Sequence, residues 1–185
     1  RFTTIDIREP RLRWPVPDDL AARFSGRQIQ AVARRGKYLL IHCPGEILLL
    51  HLGMSGSLRI CPPQTPLRQH DHVEFHLDSG LSLRLHDPRR FGALLWYEPG
   101  QEPHPLLRDL GPEPLDEAAF DARYLFRISR ARRTSIKALI MNSSIVVGVG
   151  NIYASESLYL AGIRPRRAAG SITRSEAEAL VDAIR

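Results

Sequence analysis

The chain has 185 residues, 43% of them hydrophobic, and a formal net charge of +6, with 26 Lys and Arg against 20 Asp and Glu. That length can bury a core for one domain or two small ones, and no apolar run approaches the ~20 residues a membrane-spanning helix needs. The basic surplus, with an isoelectric point near 9.9, suggests an anionic partner (nucleic acid or a membrane surface) or merely a soluble basic protein; with no spanning segment and no secretory signal pattern, cytoplasm or nucleoid is the expected location.

The two cysteines, Cys43 and Cys61, form no CxxC pair and cannot make a zinc site by themselves; they are expected to be reduced. The chain opens at Arg1 without a methionine and stops at Arg185 inside an unfinished helical pattern, which suggests a piece of a longer protein. Of the 26 basic residues only Lys37 and Lys137 are lysines, so each is a candidate for a place where arginine would fail.

As far as about Trp96 the pattern is β. Residues 37–43 and 47–60 are apolar-rich. Residues 73–77 and 81–86 are joined by Asp78-Ser79-Gly80, a hairpin signal, with Leu81, Leu83 and Leu85 alternating against Ser82, Arg84 and His86. Residues 91–97 give another strand. Short strands separated by turns imply a sandwich or barrel. Residues 99–114, rich in Pro and Gly, read as a linker. The period then becomes helical. Asp116 can cap a helix to about Phe126, residues 134–141 form a second, and residues 151–161 form a third, stopped by Gly162 and Pro165. Thr173 with Glu176 is a capping box opening a fourth. The expectation is an α+β chain, with a β domain over 1–111 and a helical domain over 112–185.

Four segments carry chemistry. In Val146-Val147-Gly148-Val149-Gly150-Asn151, two glycines lead into a helix start, where bare N–H groups and the helix dipole make a phosphate cradle. Asn151 at the cap can hold the helix or donate to a phosphate. From Arg123 to Lys137 there are six basic residues and no acidic one, and Arg164, Arg166 and Arg167 follow the third helix; either these are solvated faces or they flank an anion site. In His51-Leu52-Gly53-Met54-Ser55-Gly56, Met54 is either core filler or a wedge held on a glycine-flanked loop. In Asp87-Pro88-Arg89-Arg90-Phe91-Gly92, Arg89 can bond an orphaned base edge while Phe91 enters the stack, or Phe91 is simply core. Lys37, after Arg34-Arg35-Gly36, can exchange a proton where a guanidinium cannot. A metal reading is also open, with His70 and His72 on one strand face and Asp87 as third ligand.

Taken together, the strings LGMSGSLR, HDHVEF, DPRRFGA, LGPEPL and VVGVGNIYASESL closely resemble the formamidopyrimidine-DNA glycosylase family, in its order and at about its spacing from Arg11 to Pro165. Endonuclease VIII shares the glycine turn, but the MSGSLR and PRRFG strings are more similar to the purine-lesion branch. The resemblance implies a β-sandwich followed by a helix-two-turns-helix domain, with duplex DNA held between them. It implies excision of oxidised purines such as 8-oxoguanine and formamidopyrimidines, then strand cleavage at the abasic site. By matching position it implies that Lys37 donates a proton in β-elimination and touches a phosphate. It implies that His51 and Asn151 grip phosphates near the lesion and that His70, Arg89 and Arg132 contact DNA. Met54, Arg89 and Phe91 would fill the gap left by the extruded base. The family's N-terminal proline nucleophile and following glutamate match nothing here, nor does its C-terminal zinc finger. One zinc is therefore expected in the intact protein and none in this chain, and a monomer is expected. Two other readings stay open: a non-catalytic DNA-binding fragment, and a metal-dependent hydrolase built on His70, His72 and Asp87.

Overall fold

The computed structural model describes residues 1–100 and 104–185. The chain divides into two compact units, Arg1–Glu102 and Pro103–Arg185.

In the first unit, β1 (Phe2–Ile7), β6 (Asp71–Leu77), β7 (Ser82–His86) and β5 (Ser57–Cys61) pair in that order as one antiparallel sheet. A second sheet runs β2 (Ala31–Arg35), β3 (Tyr38–Cys43), β4 (Glu46–His51), β8 (Ala93–Tyr97). Phe2, Val73, Phe75 and Leu85 from the first sheet meet Ile41, Leu48, Leu50 and Leu94 from the second in one core. Leu20 and Phe24 of α1 (Leu20–Phe24) pack into the same core. Each such side chain, once buried, stabilises the fold by roughly 1.5–3 kcal/mol over exposure. The architecture is a two-sheet sandwich, one of the two forms the strand pattern allows and the one the family resemblance implies.

The details differ where a local signal was broken. Residues 47–60 are two strands, β4 and β5, separated by a turn over 52–56. Strand β1 escaped notice because a bulge between Phe2 and Ile5 interrupts the two-residue period. Strand β2 is an edge strand with no buried residue, so it carries no apolar alternation. The hairpin over 78–80 is as expected, with Gly80 N–H donating to the Leu77 carbonyl at 3.0 Å. Its polar face is nevertheless not solvated. Arg84 is 1% exposed because its Nε donates to Glu74 Oε1 at 2.9 Å, while Nη1 and Nη2 donate to the carbonyls of Thr65 and Pro63. Burial would raise the Glu74 pKa, but hydrogen bonds from Arg84, Ser82 and Arg8 outweigh it and hold the carboxyl below its usual range.

The second unit contains α2 (Pro105–Arg108), α3 (Ala122–Ser129), α4 (Ile136–Met141), α5 (Asn151–Leu160) and α6 (Arg174–Ile184). Within residues 99–114, read as linker, α2 is helical, while 101–103 lie outside the described residues. Helix α3 starts at Asp121, whose carboxylate accepts from Tyr124 N–H at 2.6 Å. Asp116 instead caps a turn ahead of it, accepting from Ala118 and Ala119. The Thr173–Glu176 capping box is present on α6. The core joins Leu125 of α3, Leu139 and Ile140 of α4, Leu158 of α5 and Leu180 and Val181 of α6.

Between α4 and α5 the chain makes two turns. Asn142 Oδ1 accepts from Ser144 N–H at 3.0 Å, and Ile145 N–H donates to the Asn142 carbonyl at 2.9 Å. The LGPEPL segment braces them: Gly111 N–H donates to the Ser143 carbonyl, and Val147 N–H to the Pro112 carbonyl. A Cβ on Gly111 would sit 2.7 Å from the Ile145 carbonyl carbon, so the brace requires glycine. Tyr124 Oη donates to the Ile145 carbonyl at 2.8 Å from the other side.

Candidate nucleic-acid interface

Tyr38 opens β3 opposite His51, the last residue of β4, and their rings lie tilted with centroids 4.9 Å apart. Gly36 and Lys37 close the β2–β3 hairpin. Gly36 takes φ 56°, a left-handed value that glycine adopts freely. Lys37 stands exposed at the tip of that turn, one residue ahead of the strand.

His51 Nδ1 accepts a hydrogen bond from Gly53 N–H at 2.9 Å. Burial, then the nearby charges of Lys37 and Arg13, push its pKa below the ordinary histidine value. A neutral imidazole whose Nδ1 accepts must carry its proton on Nε2. His51 therefore presents a hydrogen-bond donor beside the Lys37 ammonium.

After His51 the backbone turns back and lies against a second turn. Gly53 takes φ 65°, and a Cβ there would lie 2.5 Å from the Phe91 carbonyl carbon and 2.7 Å from the Gly92 nitrogen. Gly56 N–H donates to the Leu52 carbonyl at 2.9 Å, and a Cβ on Gly56 would fall 2.2 Å from that oxygen. The second turn is built on Asp87, which is fully buried. Asp87 Oδ2 accepts from Gly92 N–H at 2.7 Å. Its carbonyl accepts from His72 Nε2 at 2.9 Å and from Arg90 N–H at 3.1 Å. Its own N–H donates to the His70 carbonyl at 3.0 Å. Arg90 is driven to φ 55°. Arg89 Nε donates to Ser55 Oγ at 3.1 Å, and its guanidinium lies 5.5 Å from the Phe91 ring centroid.

The two turns are thus locked to each other, and each offers an apolar side chain to solvent. Met54 is 73% exposed and Phe91 47%, so neither is core filler. With Arg13, His51 and Gly53 they line an open cavity of about 400 Å³. Lys37, His51, Met54, His70, Arg89 and Phe91 are brought to neighbouring turns of this one unit. Sequence reasoning passed over Arg13, whose N–H donates to the Gly92 carbonyl at 3.1 Å, and also Tyr38 and Ser55. Their only signal was position beside the motifs, since their contacts are made across strands.

The metal reading of His70, His72 and Asp87 fails on geometry. His72 Nε2 is spent on the Asp87 carbonyl and Asp87 Oδ2 on Gly92 N–H, and the ligand atoms of the trio do not converge on one point. Among the described residues the three potential ligands that do converge are Asp6, Glu74 and His76. Glu74 there is already paired with Arg8 at 2.6 Å and Arg84 at 2.9 Å. Cys43 and Cys61 are buried and free, so the residues present do not fit a four-cysteine zinc site.

In the second unit Gly148 takes φ 83°, and Gly150 occupies the cap of α5. Asn151, expected at the cap, is instead the first helical residue, because Gly150 carries the extended backbone and its carbonyl accepts from Ala154 N–H at 2.8 Å. Among the described residues nothing accepts from the backbone N–H of Asn151, Ile152 or Tyr153, so three donors point out of the helix end. Lys137 Nζ donates to Ser155 Oγ at 2.9 Å, one turn along α5. Lys137, Ser135, Asn142 and Arg166 share an open cavity of about 540 Å³, which brings the two basic runs together. Arg132 is exposed on the α3–α4 loop, where Gly170 N–H donates to its carbonyl at 3.0 Å.

Residues 1–94 match the formamidopyrimidine-DNA glycosylase N-terminal domain, and residues 110–185 match the H2TH domain of the same enzyme. Formamidopyrimidine-DNA glycosylase of Thioalkalivibrio sulfidiphilus is 63% identical over all 185 residues, which span 68% of that protein. The Stenotrophomonas maltophilia enzyme is 55% identical over the same span and coverage. Among solved structures, the Lactococcus lactis enzyme bound to abasic-site DNA superposes with a TM-score of 0.90 at 31% identity, over 99% of this chain and 70% of its own. A complex of MutM with DNA containing carbocyclic 8-oxoG gives 0.91 at 30% identity, over all of this chain and 69% of its own. The matched domains, the identity and the shared fold agree: the chain belongs to the formamidopyrimidine-DNA glycosylase family.

Proposed function

We propose that the protein is a base-excision repair DNA glycosylase that removes 8-oxoguanine and formamidopyrimidines from duplex DNA and cleaves the strand at the resulting abasic site. One observation carries this reading: Met54 and Phe91 stand exposed on two turns interlocked through Gly53. Exposed apolar side chains on rigid supports suit insertion into a base stack, where they replace a flipped nucleotide. Arg89, held by Ser55, would then bond the orphaned base edge. His51 Nε2–H, the Lys37 ammonium, Arg132, His70 and the bare N–H groups at Asn151 are assigned to phosphates on either side.

Lys37 has a second task in this scheme. Elimination at an abasic site removes a proton from C2′ and breaks the C3′–oxygen bond, so a group that exchanges protons must stand near the sugar-phosphate. An ammonium can do so and a guanidinium effectively cannot. We assign the attacking amine to none of these 185 residues. Alone, the chain is expected to bind DNA as a monomer and to cleave nothing. The cytoplasm, with the nucleoid, is its proposed location.

The test is 2-aminopurine placed beside 8-oxoguanine in a duplex. Binding should brighten it as the stack opens, and Met54→Ala with Phe91→Ala should abolish the brightening while retaining most affinity. Full brightening in the double variant would remove the wedge from the account.

A further inference from the structure

The run of basic residues from Arg123 to Lys137 divides in the structure. Lys137 turns toward α5, whereas Arg123, Arg127 and Arg130 lie along α3 and share a groove with Arg174 and Glu178 of α6. The groove has a volume of about 550 Å³ and an apolar floor formed by Phe126 and Ala122. The guanidiniums of Arg130 and Arg174 lie 4.1 and 5.5 Å from the Phe126 ring centroid.

Arg130 is tied down, with Nη2 donating to the Ile172 carbonyl at 2.7 Å. Arg123, Arg127 and Arg174 are not; among the described residues none of them meets a carboxylate. Arg167 shows the contrast, since it is paired with Glu176 of α6. Like charges gathered on one concave surface repel, and an anionic occupant would relieve that repulsion.

We propose that the α3–α6 groove is a docking site for an acidic segment of a partner protein that carries an apolar side chain among its carboxylates. Charge complementarity selects the acidic groups, and arginine clusters are a common means of reading such motifs. Two features favour polypeptide over a nucleic-acid backbone. Glu178 on the wall can accept a peptide N–H, a donor that a phosphodiester chain lacks. The Phe126 floor gives an apolar side chain a place that a phosphate cannot use.

The probe is a fluorescein-labelled peptide of aspartates and glutamates around a single phenylalanine, titrated with the 185-residue chain and followed by anisotropy. Binding on the order of micromolar Kd is expected. Arg127→Glu with Arg174→Glu should weaken it by about tenfold or more, while affinity for an 8-oxoguanine duplex stays within about twofold. Phe126→Ala should weaken the phenylalanine peptide more than an all-acidic one. Should the charge reversals unfold the chain, Arg123→Gln with Arg127→Gln supplies the same comparison with milder change. Absence of peptide binding would overturn the proposal, as would binding that ignores these substitutions. A duplex affinity that falls as far as the peptide's would reassign the groove to nucleic acid.

Discussion

Replacing Gly53 by alanine tests the interlock that the wedge depends on. Gly53 sits at φ 65°, and an added Cβ would stand 2.5 Å from the Phe91 carbonyl carbon and 2.7 Å from both the Phe91 oxygen and the Gly92 nitrogen. Holding alanine in the left-handed region costs about 1–2 kcal/mol. The overlap is with backbone, which no rotamer change relieves, so the turns must separate at a further cost of roughly 1–3 kcal/mol. Gly80 is the matched control, at φ 78° with nothing within 4 Å of its added Cβ; Gly80→Ala should cost only the conformational part. Both tryptophans, Trp14 and Trp96, lie in the first unit, so their fluorescence reports its urea unfolding. An extra 2 kcal/mol in Gly53→Ala should lower the midpoint by roughly 1 M relative to Gly80→Ala. Displacing the wedge by about 1 Å should also cost on the order of 100-fold in excision by the intact enzyme. Equal midpoints for the two variants would refute the packing described here.

Met54→Ala and Phe91→Ala should leave the urea midpoint nearly unchanged, because both side chains are exposed; a loss of ~2–5 kcal/mol, as for emptied core positions, would contradict this. Alanine at Lys37 or Arg132 should each flatten the log–log salt dependence of duplex binding by about one unit, and unchanged slopes at both would remove them from the DNA face. The depressed pKa of His51 means the folded state resists protonation. Its contribution to stability is full above the unfolded value of about 6.5 and is lost as pH falls toward the folded one. His51→Gln should therefore flatten the fall in stability between about pH 7 and pH 5, and an unaltered slope would count against the buried neutral imidazole. In the intact protein, Lys37→Arg should keep most DNA affinity but slow strand cleavage; wild-type rates would end its role in proton transfer.

The motifs were legible because their chemistry is local. Glycines at 53 and 148, the proline-started turn at Asp87 and the Thr173–Glu176 box each act within a few residues, so their spacing survives in sequence. What escaped was set by distant contacts. Arg84 looks solvent-facing by alternation, yet loop carbonyls at Pro63 and Thr65 and the carboxylate of Glu74 cover it. Asp87 starts the turn its Asp-Pro pair signals, but the alternative reading as a metal ligand fails, because its Oδ2 holds Gly92 and its carbonyl holds His72. Ser55 as the support for Arg89 and Tyr38 as the neighbour of His51 depend on register between turns and strands, which no single segment reveals. The basic run from Arg123 to Lys137 reads as one face, but the helix break at Ala131, with φ 57°, sends its halves to different surfaces.

Lesion choice with a protein-borne wedge is read out by base release. Duplexes carrying one 8-oxoguanine, one formamidopyrimidine or one oxidised pyrimidine would be incubated with the intact protein containing these residues, wild type and Met54→Ala. The two purine lesions should be released in preference to the pyrimidine, with release strongly reduced in the variant. Preferential release of the oxidised pyrimidine, or purine release indifferent to Met54, would contradict it.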